Sequence, residues 1–280
     1  MSNLIGTTNF HMHPFCFLIP GMFSHAEHLR PLAEALKAKG FDAVCGELLG
    51  HRPGLAAAEL QALGNLGLND FADDIAAQVT SAMTQRATKR PPVLIGHSMG
   101  GLLALKLAAL ELASAAVLLA PAPPATELLL PLSSYASFAG ALTATLFLNQ
   151  PVLPWNLRWG LLNGLPKTVQ DEILKSLVPE SSRAAREIAF HWFPWLPQDP
   201  KPAFVDPAEV ECPLLFCGAK HDRILPPAIV RRAANRFRAQ YVEFDSPHWL
   251  LTPSGAAWPK VVETIGKWVK ANGGGGTARV

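Results

Sequence analysis

Short apolar runs alternate with segments of helical periodicity along most of this 280-residue chain. Phe15-Cys16-Phe17-Leu18-Ile19 is continuously apolar and closed by Pro20-Gly21, the pattern of a strand buried on both faces. Ser24-His25-Ala26-Glu27 reads as a capping box with Ser24 at the cap. Leu29, Leu32, Ala33 and Leu36 then recur at helical spacing until Gly40. Further strands are expected at 42–46, 92–95, 115–119, 214–217 and 241–244. One helix, capped by Asn69 or Asp70, carries Phe71, Ile75, Val79 and Met83 on a single face. A second, 102–112, is apolar almost all round, which implies a central position. Others are expected over 228–238 and from Trp258-Pro259 onward, with Val262, Ile265 and Val269 inward. Such alternation needs crossover connections. The expected fold is therefore α/β, a mostly parallel central sheet with helices on both faces.

The alternation stops at Pro121 and resumes near residue 206. The stretch between is rich in Leu, Trp and Pro and reads as short helices, an insertion over the carboxyl edge of the sheet. Residues 1–120 and 206–272 then form one core, 121–205 a helical cap, and 273–280, with their glycine run, a flexible tail.

Composition narrows the function. Nearly half of the residues are apolar and 16% are charged, as in a packed globular enzyme. A net charge of +2 gives no field suited to nucleic acid. Cys16, Cys45, Cys212 and Cys217 form no CxxC pair and read as free thiols, which fits a reducing, cytoplasmic setting. The run 15–23 is short and broken by Pro20 and Gly21, a poor signal peptide. No apolar stretch is long enough for stable membrane insertion. His11, His13, His25, His28 and His51 lack metal-ligand spacing, so no metal is expected.

Within Gly96-His97-Ser98-Met99-Gly100-Gly101, Ser98 falls where a strand becomes a helix. A serine hydroxyl is a weak nucleophile and needs a base beside it. Projecting Oγ from the sheet edge needs a sharp turn, and glycine at 96 and 100 removes the Cβ atoms that would clash. The helix starting just after Ser98 offers free N–H groups to an oxyanion. Asp222 follows a strand in Cys217-Gly218-Ala219-Lys220-His221-Asp222 and is placed to orient a histidine. Asp245 and Glu127 are weaker rivals, one too near that histidine in sequence and the other inside the insertion. His248 follows the last strand, where an imidazole can take and return the serine proton. His97 and His221 are expected to shape their loops. Gly21 lets the Met22 N–H turn toward the serine, so Met22 and Met99 would supply two oxyanion donors.

With these pieces in place the chain resembles the α/β-hydrolase fold family, from about Pro14 to Lys270 and least within the insertion. By resemblance Ser98 is the nucleophile, Asp222 the acid, His248 the base, the Met22 and Met99 amides the oxyanion hole, and 121–205 the lid. Two features depart from the family. Pro20-Gly21 stands where His-Gly is frequent, and the usual leading β-hairpin is shortened or absent. The resemblance implies acyl transfer to water without a cofactor.

The insertion's aromatic and leucine side chains suggest an apolar pocket beneath it, with Phe23, Trp155, Trp159, Trp192 and Trp249 against the substrate. The expected partner is a small-molecule ester with an apolar acyl or alcohol part. Thioesterase, lactonase, amidase, C–C bond hydrolase and cofactor-free perhydrolase chemistry use the same residues. A non-catalytic ligand-binding protein is the alternative of another class. The sequence fixes no oligomeric state.

Overall fold

The computed structural model describes residues 14–125, 132–137, 151–152, 157–190 and 201–273. Six of its strands form one sheet: β1 (Phe15–Ile19), β2 (Asp42–Cys45), β3 (Val93–His97), β4 (Ala115–Leu119), β7 (Leu214–Ala219) and β8 (Gln240–Phe244). Their order is β2-β1-β3-β4-β7-β8, and every pairing is parallel. The central strands are apolar because both of their faces are covered; β3 and β4 are buried at every residue.

The helices are α1 (Ala26–Lys37), α2 (Ala57–Leu63), α3 (Leu68–Gln85), α4 (Met99–Ala109), α9 (Pro227–Arg236) and α10 (Trp258–Asn272). The step from β1 to β2 runs opposite to the steps into β3 and β4. Right-handed crossovers therefore put α1 on one face and α3 and α4 on the other. In keeping with this, α1 packs against α10 and α3 against α4. The surround of α4 is almost wholly protein: nine of its eleven residues are buried, and only Lys106 and Ala109 are not.

Between β4 and β7 lie α5 (Leu132–Ser137), α6 (Leu157–Gly160), α7 (Lys167–Ser176) and α8 (Ser182–Ala189). There too β5 (Pro151–Val152) pairs antiparallel with β6 (Glu180–Ser181). Among the described residues no helix is long and apolar enough to cross a membrane. The expectations about the leading hairpin and about the tail beyond Gly273 lie outside the described residues.

Two helix starts differ from the sequence reading. His25, not Ser24, caps α1. The Ala26 N–H donates to both Glu47 carboxylate oxygens (3.2 and 3.1 Å), and the His25 N–H donates to His28 Nδ1. A carboxylate suits a helix N-terminus better than a hydroxyl, because it answers the dipole as well as the open amides. Ser24 is instead drawn into the preceding turn, its N–H bonded to Gly21 O, and its hydroxyl is buried without a partner among the described residues. For α3 the cap is Gly67, while Asn69 and Asp70 lie inside the first turn. Asp70 accepts the Gly67 N–H, and the distant Glu187 accepts that of Leu68. The short helix α2 was not expected at all.

Candidate active site

In a parallel sheet every strand ends on the same edge, so the loops after β1, β3, β7 and β8 meet there. Those loops carry Met22, Ser98, Asp222 and His248. Ser98 has φ 53° and ψ −120°, a conformation few non-glycine residues adopt, and it caps α4. Close packing holds it there. A Cβ on Gly96 would lie 2.1 Å from Gly100 O, and one on Gly100 would lie 2.2 Å from Ile19 O. Neither backbone contact can yield without parting α4 from the sheet. A Cβ on Gly21 would meet His97 O at 2.8 Å and Ser98 Cβ at 2.9 Å, so the loop after β1 presses directly on the serine.

Two amides flank this position. Met99 begins α4, so its N–H has no intrahelical acceptor. In the β1 loop Pro20 has no N–H, Phe23 N–H is bound by Glu180 and Ser24 N–H by Gly21 O. The Met22 N–H has no partner among the described residues.

Asp222 is buried just past β7. Its Oδ1 accepts the N–H groups of Ile224 (2.8 Å) and Leu225 (2.7 Å), which fixes the carboxylate plane. Its Oδ2 then accepts from His248 Nδ1 at 2.6 Å. Nδ1 is thereby committed, and Nε2 is the ring nitrogen left to the cavity. His97 Nε2 donates to the His248 carbonyl at 3.1 Å, so the residue before the serine steadies the loop that carries His248. Burial, aided by the nearby His248 ring, lowers the His97 pKa to about 3, which keeps that donor neutral. The rival Asp245 is turned outward and bonds His221 at 2.6 Å; Glu127 lies outside the described residues.

Ser98 and His248 line one cavity of about 880 Å³, its mouth included. Among the described residues no hydrogen bond joins Ser98 Oγ to the imidazole. The remaining wall is almost entirely apolar, with Met22, Phe23, Val152, Leu157, Ile188, Phe190, Ile224 and Leu225 among its residues. Its two further hydroxyls are already engaged, Ser134 with Ile224 O and Tyr135 with Ala189 O. No Asp, Glu, Lys or Arg side chain lines it among the described residues, and no group of three metal-ligating side chains occurs among them either.

Of the aromatic residues expected against substrate, Phe23 lines this cavity. Trp159 and Trp249 do not. Trp159 is 44% exposed beneath the Arg223 guanidinium, where a cation can lie on its face. Trp249 is buried against the His28 and His97 rings, filling space behind the histidine loop. Trp155 and Trp192 lie outside the described residues. Sequence reading also passed over Glu180 and His51, a buried pair 2.9 Å apart. Residues 129 positions apart leave no local pattern; an acid beside Ser181 and Ser182 in an otherwise amphipathic stretch was the only hint.

The sequence matches the model of the Alpha/beta hydrolase family over residues 16–258. No curated protein matches. Similar solved structures include a monoacylglycerol lipase of Paleococcus ferrophilus (18% identity, TM-score 0.65, covering 93% of this chain and 96% of that one). A soluble variant of the Saccharomyces cerevisiae monoglyceride lipase is also similar (14%, 0.68, 95% and 88%). So is a thermophilic esterase from Thermogutta terrifontis (19%, 0.63, 93% and 90%). At these identities the likeness is one of fold.

Proposed function

The chain belongs to the alpha/beta hydrolase family, and from that premise we propose that it is a serine hydrolase that cleaves a carboxylic ester through an acyl-enzyme. The observation that carries this reading is the Asp222–His248 hydrogen bond on the same cavity wall as a serine held at positive φ. Ser98 Oγ attacks the ester carbonyl while His248 Nε2 takes its proton. The Ser98–His248 bond forms as substrate enters, since such contacts often tighten only in the complex. Asp222 keeps Nδ1 protonated and stabilises the imidazolium. The Met22 and Met99 amides receive the developing oxyanion, each worth about 3–4 kcal/mol in the transition state. His248 returns the proton to the leaving alcohol, and water, activated by the same ring, releases the acid.

The cavity wall supports an apolar substrate. A carboxylate- or ammonium-bearing group would lose its hydration there and find no opposite charge. The described part of 121–205 acts as the cap over this space, with Tyr135, Leu157 and Ile188 in its wall. The structural neighbours named as lipases and esterases agree with an ester as the bond cleaved. All four cysteines are free thiols, and we assign the enzyme to the reducing cytoplasm on that ground.

Ser98→Ala tests the reading. Hydrolysis of medium-chain p-nitrophenyl esters should fall by about 10⁶-fold, and labelling by a fluorophosphonate should vanish. Retention of either within tenfold of wild type by a folded variant removes Ser98 as the nucleophile and the proposal with it.

A further inference from the structure

Phe23, the residue after the Met22 amide, is gripped from both sides by one short segment. Its N–H donates to Glu180 Oε2 at 3.1 Å, and its C=O accepts the Val178 N–H at 3.0 Å. Phe23 has φ 61°, a left-handed conformation unfavourable for a bulky residue, so something must hold it. The Ser24-to-Gly21 turn contributes. The two bonds from 178–180 add a long-range restraint, and they come from the region between β4 and β7.

Glu180 is fully buried, yet each of its oxygens is committed. Oε1 accepts the Ser181 N–H at 2.6 Å, and Oε2 is shared by Phe23 N–H and His51 Nε2. His51 is also fully buried, and its Nδ1 lies 3.1 Å from the Leu49 carbonyl oxygen. Both ring nitrogens thus face acceptors. Only the imidazolium can donate to both, so His51 carries the charge that neutralises Glu180. Glu180 raises the His51 pKa against the opposing effect of burial, and Glu47 adds to the rise. The Phe71 ring closes the other side of the imidazole.

We infer that Glu180, charge-balanced by His51, is a positioning residue that sets the Met22 amide through Phe23 and so makes oxyanion stabilisation depend on how the 178–181 segment is seated. Glu180 touches no reacting atom; it acts through the turn at Phe23. This inference rests on the serine hydrolase reading of the same site.

Glu180→Gln preserves shape and one accepting oxygen but turns an amide donor toward the Ser181 N–H and removes the partner charge of His51. Kinetics with p-nitrophenyl esters should give a kcat lowered about 10- to 100-fold with KM within threefold. Inhibition by an alkyl trifluoromethyl ketone, whose bound form is an oxyanion, should weaken in parallel with kcat/KM. A purely structural role would lower the melting temperature but leave both kcat per folded molecule and ketone affinity unchanged, and that result overturns the inference. Glu180→Asp, which keeps the charge, should recover part of both quantities if its thermal unfolding stays cooperative; no recovery counts against the assignment. His51→Gln should imitate Glu180→Gln, and wild-type ketone affinity in that variant also overturns it. Ser98→Ala in the same assays separates the two claims. If it keeps activity, the hydrolase reading fails; if it is dead while Glu180→Gln is normal, only the positioning role does.

Discussion

Gly100 and Glu187 both join the chain to distant residues, and they do so in opposite ways. At Gly100 the backbone of α4 lies against the carbonyls of Ile19 and Pro20, so close that no side-chain atom fits between. Around Ser98 the geometry is fixed by exclusion, backbone packed against backbone. At Glu187 a buried carboxylate from α8 reaches the start of α3. It accepts the Leu68 N–H at 2.7 Å and the Arg183 guanidinium at 2.9 Å, above a glycine, Gly67, that leaves room for it. Ser181 adds its hydroxyl to the Leu66 carbonyl. Beside its apolar contacts, the segment between β4 and β7 is thus anchored here by polar groups, each of which must find its partner. Shape dominates one contact and satisfied charge the other, so the two regions should fail differently when altered.

The largest effect is expected at Gly100→Ala. The added methyl group must push apart backbone from two elements, costing roughly 3 kcal/mol of stability, and it separates the two amides beside Ser98. Chemical denaturation should show the loss, and ester turnover per folded molecule should fall at least about 100-fold. Gly164→Ala in the insertion is the control. That glycine has φ 84° with open space around it, so only the backbone penalty applies, about 1 kcal/mol, with unchanged turnover. Equal effects at the two positions would erase the contrast.

Next comes Glu187→Ala, which leaves the Leu68 N–H buried and unpaired. Stability should drop by about 2–3 kcal/mol. Because Ala185, Ile188 and Ala189 of the same helix line the cavity, KM should rise more than kcat falls. A drop in kcat alone would mean that this anchor acts on the chemistry and not on the seating of the cavity wall.

The smallest effect concerns pH. His28 Nδ1 accepts the His25 N–H, and Nε2 bonds Ser176 Oγ of α7, with the His25 and Trp249 rings beside it. Burial, with the His25 ring adding to it, lowers its pKa to about 4. The unfolded chain then binds a proton that the native state refuses. Stability should decline as pH falls from about 6.5 toward 4, and His97, lowered to about 3, adds to the slope. His51 contributes with the opposite sign, its stabilisation present at low pH and lost as pH rises through its raised pKa. His28→Gln should flatten the acid limb of a melting-temperature profile between pH 4 and 6.5. An unchanged slope would mean that this contact between α1 and α7 does not titrate as its burial implies.

The same contrast explains what the sequence made legible. Where strands are buried on both faces the apolar runs are unambiguous, and β1, β3, β4 and β7 were all read within two residues of their ends. The Ser98 turn was equally plain, because exclusion leaves glycines at fixed spacing. Asp222 and His248 could be named from their places after strands, although only the coordinates give the bond between them. Polar anchoring leaves no such trace. The caps of α1 and α3 were misread because the acceptors are Glu47 and Glu187, 21 and 119 residues from the amides they serve. Glu180 and His51 were passed over for the same reason. Trp159 and Trp249 were expected in the pocket because large aromatics favour concave sites, but one covers a guanidinium and the other fills the space between two imidazoles.

The left-handed backbone at residue 98 limits how this chemistry could drift. Threonine would add a second branch at Cβ in a conformation that β-branched residues tolerate poorly, so a secondary alcohol cannot simply inherit the place of the primary one. Cysteine has the same unbranched outline as serine. A lineage built on this turn can therefore exchange oxygen for sulfur in one step, and with it the proposed ester-type acyl-enzyme for a thioester, while the threonine route stays closed unless the turn itself is rebuilt.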